Sequence, residues 1–234
     1  MALIKHGALV AQISGSVAGT TFARNRYGAY ARNRTKPVNP NTALQNAQRA
    51  ALTLLTARWA QTLTGAQRTA WNLYGSNVVM LNKLGENINL TGFNHYIRSN
   101  TGLIRTGHGT LIVDDGPVIF ELPATDPTLA VTGSEGTQDL TISFDNTLPW
   151  AMEDPGWLYV YQGSPQNAQR NFFAGPWKFA LSVVGILGGG VVEPQVVPAT
   201  FAIAEGQRQW IYARILRADG RISQKFRADT FIAA

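Results

Sequence analysis

The sequence predicts an α+β protein, with an N-terminal extended arm or β-ribbon, a helical hairpin, and a C-terminal antiparallel Ig-like β-sandwich. Two observations carry that prediction. Residues 43–61 hold apolar residues at helical spacing behind capping signals, and a second helical stretch follows after a short turn. After about residue 107 the texture changes to short strand-forming runs separated by turn clusters. The boundaries read as 1–36 for the basic arm, 37–107 for the helical hairpin and 108–234 for the sandwich.

Residues 1–19 are small and Gly/Ser-rich. Residues 20–36 (TTFARNRYGAYARNRTK) show two runs of β-formers and arginines around Tyr27-Gly28, where Gly28 can supply positive φ. Strand alternation puts Phe22, Arg24 and Arg26 on one parity, and the pattern predicts arginines along one face, continued by Arg32, Arg34 and Lys36. Pro37-Val38-Asn39-Pro40 stops this ribbon, since each proline forces its predecessor into extended geometry. Asn41 or Thr42 then caps a helix carrying Leu44, Ala51, Leu55 and Trp59. Thr64 and Gln67 fit a capping box that opens a second helix with Ala70, Trp71 and Tyr74. A third helix is predicted over 91–104, with Phe93, Tyr96 and Ile97 on its apolar side. His95 is expected on its surface.

In the C-terminal half, DLTISFD (139–145) alternates strictly and WLYVY (157–161) reads as a buried strand. Further strands are expected over 172–184 and 191–197. The runs 209–216 and 221–226 should pair across Asp219-Gly220. Trp150, Trp157, Trp177 and Trp210 are expected in the sandwich core.

Charge is divided between the halves. Up to residue 110 there are 12 Lys and Arg against one acid, Glu86, a net of +11; beyond it 8 basic residues face 13 acids, a net of −5. Most acids of the second half fall in turns, where carboxylates bond neighbouring backbone. The basic excess calls for an anionic or interface partner. With no cysteine there is no disulfide, thiolate zinc site or cysteine nucleophile. No stretch has the length of a signal peptide or membrane span, so the chain reads as soluble and without a membrane partner. The histidines His6, His95 and His108 have one carboxylate in their half and no metal-ligand spacing, and Gly188-Gly189-Gly190 lacks the Lys and Ser/Thr of a phosphate loop. The reading is a non-enzyme with no catalytic residue, metal, cofactor or small-molecule substrate.

The interaction candidates are Phe22, Arg24, Arg26, Tyr27, Tyr30, Arg32, Arg34 and Lys36. Arginine and tyrosine suit a protein interface, and an extended segment can add a strand to a neighbour's sheet. The same mixture of cation and aromatic also suits nucleic-acid phosphates and bases.

Residues 15–72 resemble an N-terminal block that recurs in uncharacterised proteins of tailed bacteriophages and prophages. The matching pieces are Thr21-Phe22-Ala23-Arg24, Arg32-Asn33-Arg34, the 37–42 stretch PVNPNT, Trp59 and the 67–72 stretch QRTAWN, with 90–100 as continuation. Residues 209–226 resemble the last hairpin of a fibronectin-type-III-like sandwich. The resemblance implies a structural virion protein, made in the bacterial host cytoplasm: a head decoration or cement protein, or a head–tail assembly component. Its partners would be major capsid or head–tail subunits and copies of itself. The alternative is a virion-internal or packaging-associated non-specific DNA-binding protein.

Overall fold

A computed structural model describes residues 2–7, 9–10, 12–34, 38–82 and 84–234. The chain opens with β1 (Ala2–Ile4), β2 (Gly15–Val17), β3 (Thr20–Asn25) and β4 (Gly28–Asn33), which form an antiparallel sheet in the order β1-β4-β3-β2. Ala18 and Gly19 both take positive φ, 42° and 82°, the backbone that a two-residue hairpin turn demands. No side chain in these four strands is buried.

Three helices follow: α1 (Ala43–Gln61), α2 (Gly65–Asn77) and α3 (Gly92–Arg105). Thr42 and Thr64 each close a reciprocal capping box, with Gln45 and Gln67 respectively, and Thr91 caps α3 by accepting from the Asn94 N–H. A small ribbon of β5 (Val79–Leu81) and β6 (Asn87–Asn89) joins α2 to α3. The helices enclose Leu55, Leu63, Trp71, Tyr74, Val78 and Tyr96, with Trp71 edge-on to both tyrosines. α2 and α3 approach closely because position 92 is glycine; a Cβ there would stand 2.5 Å from the Asn72 nitrogen.

The stretch after α3 returns to the helices. Arg58 forks onto the Asp114 carboxylate (Nε–Oδ1 2.8 Å, Nη2–Oδ2 2.5 Å), and the Tyr96 hydroxyl donates to the same Oδ1 at 3.1 Å. The Trp71 indole donates to the Asp114 carbonyl at 2.9 Å. Asn100 exchanges two hydrogen bonds with the Val113 backbone. The turn composition of 114–117 is therefore a clasp that ties all three helices together.

Seven strands then build the sandwich: β7 (Ala130–Ser134), β8 (Asp139–Ser143), β9 (Trp157–Gly163), β10 (Trp177–Val184), β11 (Gln195–Pro198), β12 (Arg208–Leu216) and β13 (Phe226–Phe231). One sheet has the order β11-β8-β7 and the other β10-β9-β12-β13, a two-sheet antiparallel arrangement of the Ig-like kind. Leu140 and Ile142 of β8 interleave with Leu158 and Val160 of β9 and with Ile211, Ala213 and Ile215 of β12. Trp150 enters this core from a short 3-10 helix. The expected strand over 221–226 is replaced by a wider corner. The Arg217 N–H bonds the Arg221 carbonyl and Ser223 fills the ladder opposite Ile215, so regular pairing with β12 starts only at Phe226.

Trp157, Trp177 and Trp210 are not in the sandwich interior. In β9 the even residues Leu158 and Val160 point inward, so Trp157, Tyr159 and Tyr161 face out. β9 is nonetheless buried on both faces at its start, because α3 lies over it. Leu103 packs with Trp157, Tyr159, Leu216 and Ile222, and the His108 ring lies 4.3 Å from that of Trp157. Arg98 donates to the carbonyls of Ile222 and Ser223 at 2.8 and 2.5 Å.

Replacing Asp114 with Ala removes the acceptor of Arg58 and Tyr96 together. Because the ion pair is partly solvated, the expected loss is about 2 kcal/mol. It should appear as a lower urea midpoint at unchanged m-value; an unchanged midpoint would show that the clasp contributes nothing.

Candidate interaction surface

The basic ribbon forms the β3–β4 hairpin, but its arginines do not share a face. Every pair in this hairpin joins an even-numbered residue to an odd-numbered one: Phe22 opposes Ala31, Arg24 opposes Ala29 and Thr21 opposes Arg32. Directly opposed residues project to the same side. Phe22 and Arg24 therefore lie with Ala29 and Ala31, while Tyr30 and Arg32 lie on the other side with Leu3. The expectation of one arginine face fails because Arg26 and Tyr27 occupy the two-residue turn, which reverses parity between the strands. Arg34 follows β4, its N–H bonding the Gly19 carbonyl. Lys36 lies outside the described residues.

Arg24, Arg26, Arg32 and Arg34 are exposed and form no ion pair among the described residues. Arg26 lies over the Tyr27 ring at 5.4 Å. Phe22, Tyr27 and Tyr30 are half-buried. Among the described residues, two polar contacts moor the sheet to the helices and the β5–β6 loop. The Asn94 amide donates to the Tyr27 hydroxyl at 2.6 Å, and Lys5 pairs with Glu86 at 2.8 Å. The Lys5–Glu86 pair is solvated and a weak anchor.

α1 is also largely uncovered. Over 19 residues it buries only Ala51 and Leu55, and it exposes Leu44, Leu52 and Leu54. Val38, shortly before α1, and Val17, in β2, are exposed at 86% and 65%. The sheet thus offers unpaired guanidiniums and half-buried aromatics, and α1 offers uncovered aliphatic side chains.

His95 departs from the surface position expected of it. It is buried beside Tyr74, ring centroids 4.9 Å apart, and neither ring nitrogen has a hydrogen-bond partner. His108 contacts Thr106 and Trp157 instead. Among the described residues no three His, Asp or Glu side chains converge in a group able to hold a metal ion. No helix is long and apolar enough to cross a membrane among the described residues.

A second feature escaped the sequence reading: the outward row of Trp157, Tyr159 and Tyr161, extended by Trp177, Phe179 and Tyr212 on neighbouring strands. Its signal was available, since every odd position from 157 to 161 is aromatic.

No known protein family matches the chain, and no curated protein does. Among solved structures, part of the chain is similar to a family 76 glycoside hydrolase from a bovine Bacteroides thetaiotaomicron strain, at 16% identity and a TM-score of 0.29. The match covers 47% of this chain and 20% of that one, so the chain spans about a fifth of its length. A likeness this slight carries neither fold nor activity across.

Burial, with the Arg98 charge beside it, pulls the His95 pKa down from 6.5 to about 4. The unfolded chain takes up a proton near 6.5 and the folded chain only near 4. Stability should therefore fall as pH drops through that window, by up to about 3 kcal/mol. Urea unfolding of wild type and His95→Leu at pH 7 and pH 4.5 checks this. The variant should lose less stability on acidification, because carboxylate effects are common to both proteins. Equal losses would mean that His95 is solvated.

Proposed function

We propose that the chain is a structural virion protein of a tailed bacteriophage, a head decoration, cement or head–tail assembly protein that docks through its basic N-terminal half. The observation that carries this reading is a sheet without a core. Four strands with no buried side chain cannot repay the cost of ordering them unless another surface covers them. β1 and β2 are the edges of that sheet, three residues long each, and either can extend onto a neighbouring subunit. The exposed leucines of α1 would widen the buried contact. The sandwich encloses its own core and is suited to face outward. On this reading 1–36 is the docking arm, 37–107 the helical support and 108–234 the presented sandwich. Partners are capsid or head–tail subunits and copies of the chain itself.

The second reading, a virion-internal or packaging-associated DNA-binding protein, is favoured by the unpaired Arg24, Arg26, Arg32 and Arg34. Their distribution over both faces and the turn suits it less, because phosphates of one duplex approach from one side.

Deleting residues 1–36 removes no buried side chain among those described, so the remainder should keep its near-ultraviolet dichroism while failing to enter assembled particles. Full incorporation of the truncated chain would refute the docking role. Electrophoretic retardation of duplex DNA separates the readings: the assembly reading expects none at 50 mM salt. Retardation that weakens by roughly 10³-fold between 50 and 200 mM salt would favour the DNA reading.

A further inference from the structure

The outer face of the four-stranded sheet is only half covered. α3 shields Trp157 and Tyr159, but beyond its C-terminal turn the aromatic row continues half-buried. Tyr161 and Tyr212 stack with centroids 4.6 Å apart, Trp177 meets Tyr212 edge-on at 4.8 Å, and Phe179 meets Tyr161 edge-on at 5.7 Å. Between these rings and the end of α3 lies a groove of about 310 Å³, lined by Arg105, Thr106, Tyr161, Trp177 and Phe179 with Leu44 at its rim. That volume is at the small end of the range for ligand sites, and apolar walls with a few polar groups are their usual make-up.

The charge of the groove is one-sided. Arg105 is exposed and makes no ion pair or side-chain hydrogen bond among the described residues, and no carboxylate lines the groove. Arg105 and Arg214 both act electrostatically on Tyr161 and Tyr212. Arg214 shares the outer face, and its Nε is buried without a hydrogen-bond partner. Lys178 also lines the groove, but its ammonium is engaged 4.1 Å above the Phe201 ring and donates to the Thr200 carbonyl. The groove therefore offers one uncommitted guanidinium beside an aromatic wall.

We propose that this groove binds an acidic sugar, whose carboxylate forks onto Arg105 and whose apolar C–H face lies against Tyr161, Phe179 and Trp177. One guanidinium matches one carboxylate in bidentate geometry. Single-stranded nucleic acid fits less well, because it needs a track of cations, and the groove lining holds Arg105 with Lys178 engaged elsewhere. A peptide adding to the edge strand β10 is opposed by the register break between Phe179 and Leu181.

The test is titration of the full chain with glucuronic acid and N-acetylneuraminic acid, followed by calorimetry and tryptophan fluorescence. Glucose, acetate and a thymidine oligonucleotide serve as controls. Saturable binding of at least one acidic sugar is expected, with a change in tryptophan emission and no binding of glucose or acetate. Arg105→Gln, at an exposed position, should keep the native dichroism and weaken binding by about tenfold or more, the order expected for a charge-assisted hydrogen bond. Arg34→Gln should leave it unchanged. Absence of binding by both acids overturns the proposal, as does equal binding of glucose or indifference to Arg105→Gln. Displacement of the sugar by the oligonucleotide would reassign the groove to nucleic acid.

Discussion

Arg98 is a cation placed where α3 meets the sandwich, bonded to the carbonyls of Ile222 and Ser223 and, among the described residues, to no carboxylate. Burial, with Arg214 adding repulsion, lowers its pKa from 12.5 to about 10, which leaves it charged at neutral pH. A buried charge is tolerated only where its donors are satisfied. Both carbonyls come from the corner between β12 and β13, the place where Ser223 has taken over ladder positions from the strand. The corner geometry and the helix position are therefore set together. Gly102, one turn further along α3, lets the helix lie against Tyr159, since a Cβ there would stand 2.8 Å from the ring. The rest of the architecture follows: α3 cannot shift without uncovering Trp157 and stranding a guanidinium.

The divided charge has a structural counterpart. Acids of the C-terminal half are largely consumed within the fold. Glu153 holds Arg217, Asp229 holds Arg208, Asp219 holds Arg221, and Asp114 reaches back to Arg58. Asp126 and Asp145 bond the threonines two residues on, as turn carboxylates do. On the basic side, the arginines of β3 and β4 have no such partners among the described residues. The asymmetry is thus between a half in which many acids are paired or bonded to nearby backbone and a sheet whose arginines are unpaired among the described residues.

Much of this fold was legible because its signals are local. Capping boxes at Thr42 and Thr64 need only four residues, and the alternation of 139–145 needs only seven. What stayed illegible depended on long-range placement. Asp114 sits in a stretch with turn composition and serves as a clasp, a role visible only once Arg58, Trp71 and Tyr96 converge on it. His95 looked like a surface residue because its neighbours Asn94 and Arg98 are polar; its burial comes from Tyr74 on another helix. Trp150 lies in the core as expected. Trp157 was assigned to the wrong side of the sheet because a second layer, α3, covers its outer face and makes both parities of β9 apolar. Trp177 and Trp210 lie on that outer face against Arg227 and Arg208 instead.

The ribbon shows how a correct element can carry an incorrect surface. Sequence parity was read straight through Arg26 and Tyr27, yet a two-residue turn pairs Asn25 with Gly28, so each even residue of β3 faces an odd one of β4. Arg24 and Arg32 are separated by the thickness of the sheet for that reason alone. A sheet with cations and aromatics on both sides is poorly matched to a single flat polyanion. It is better matched to insertion between surfaces, where each side meets a different neighbour. The short edges β1 and β2 are consistent with the same geometry, since insertion leaves both free to take further strands.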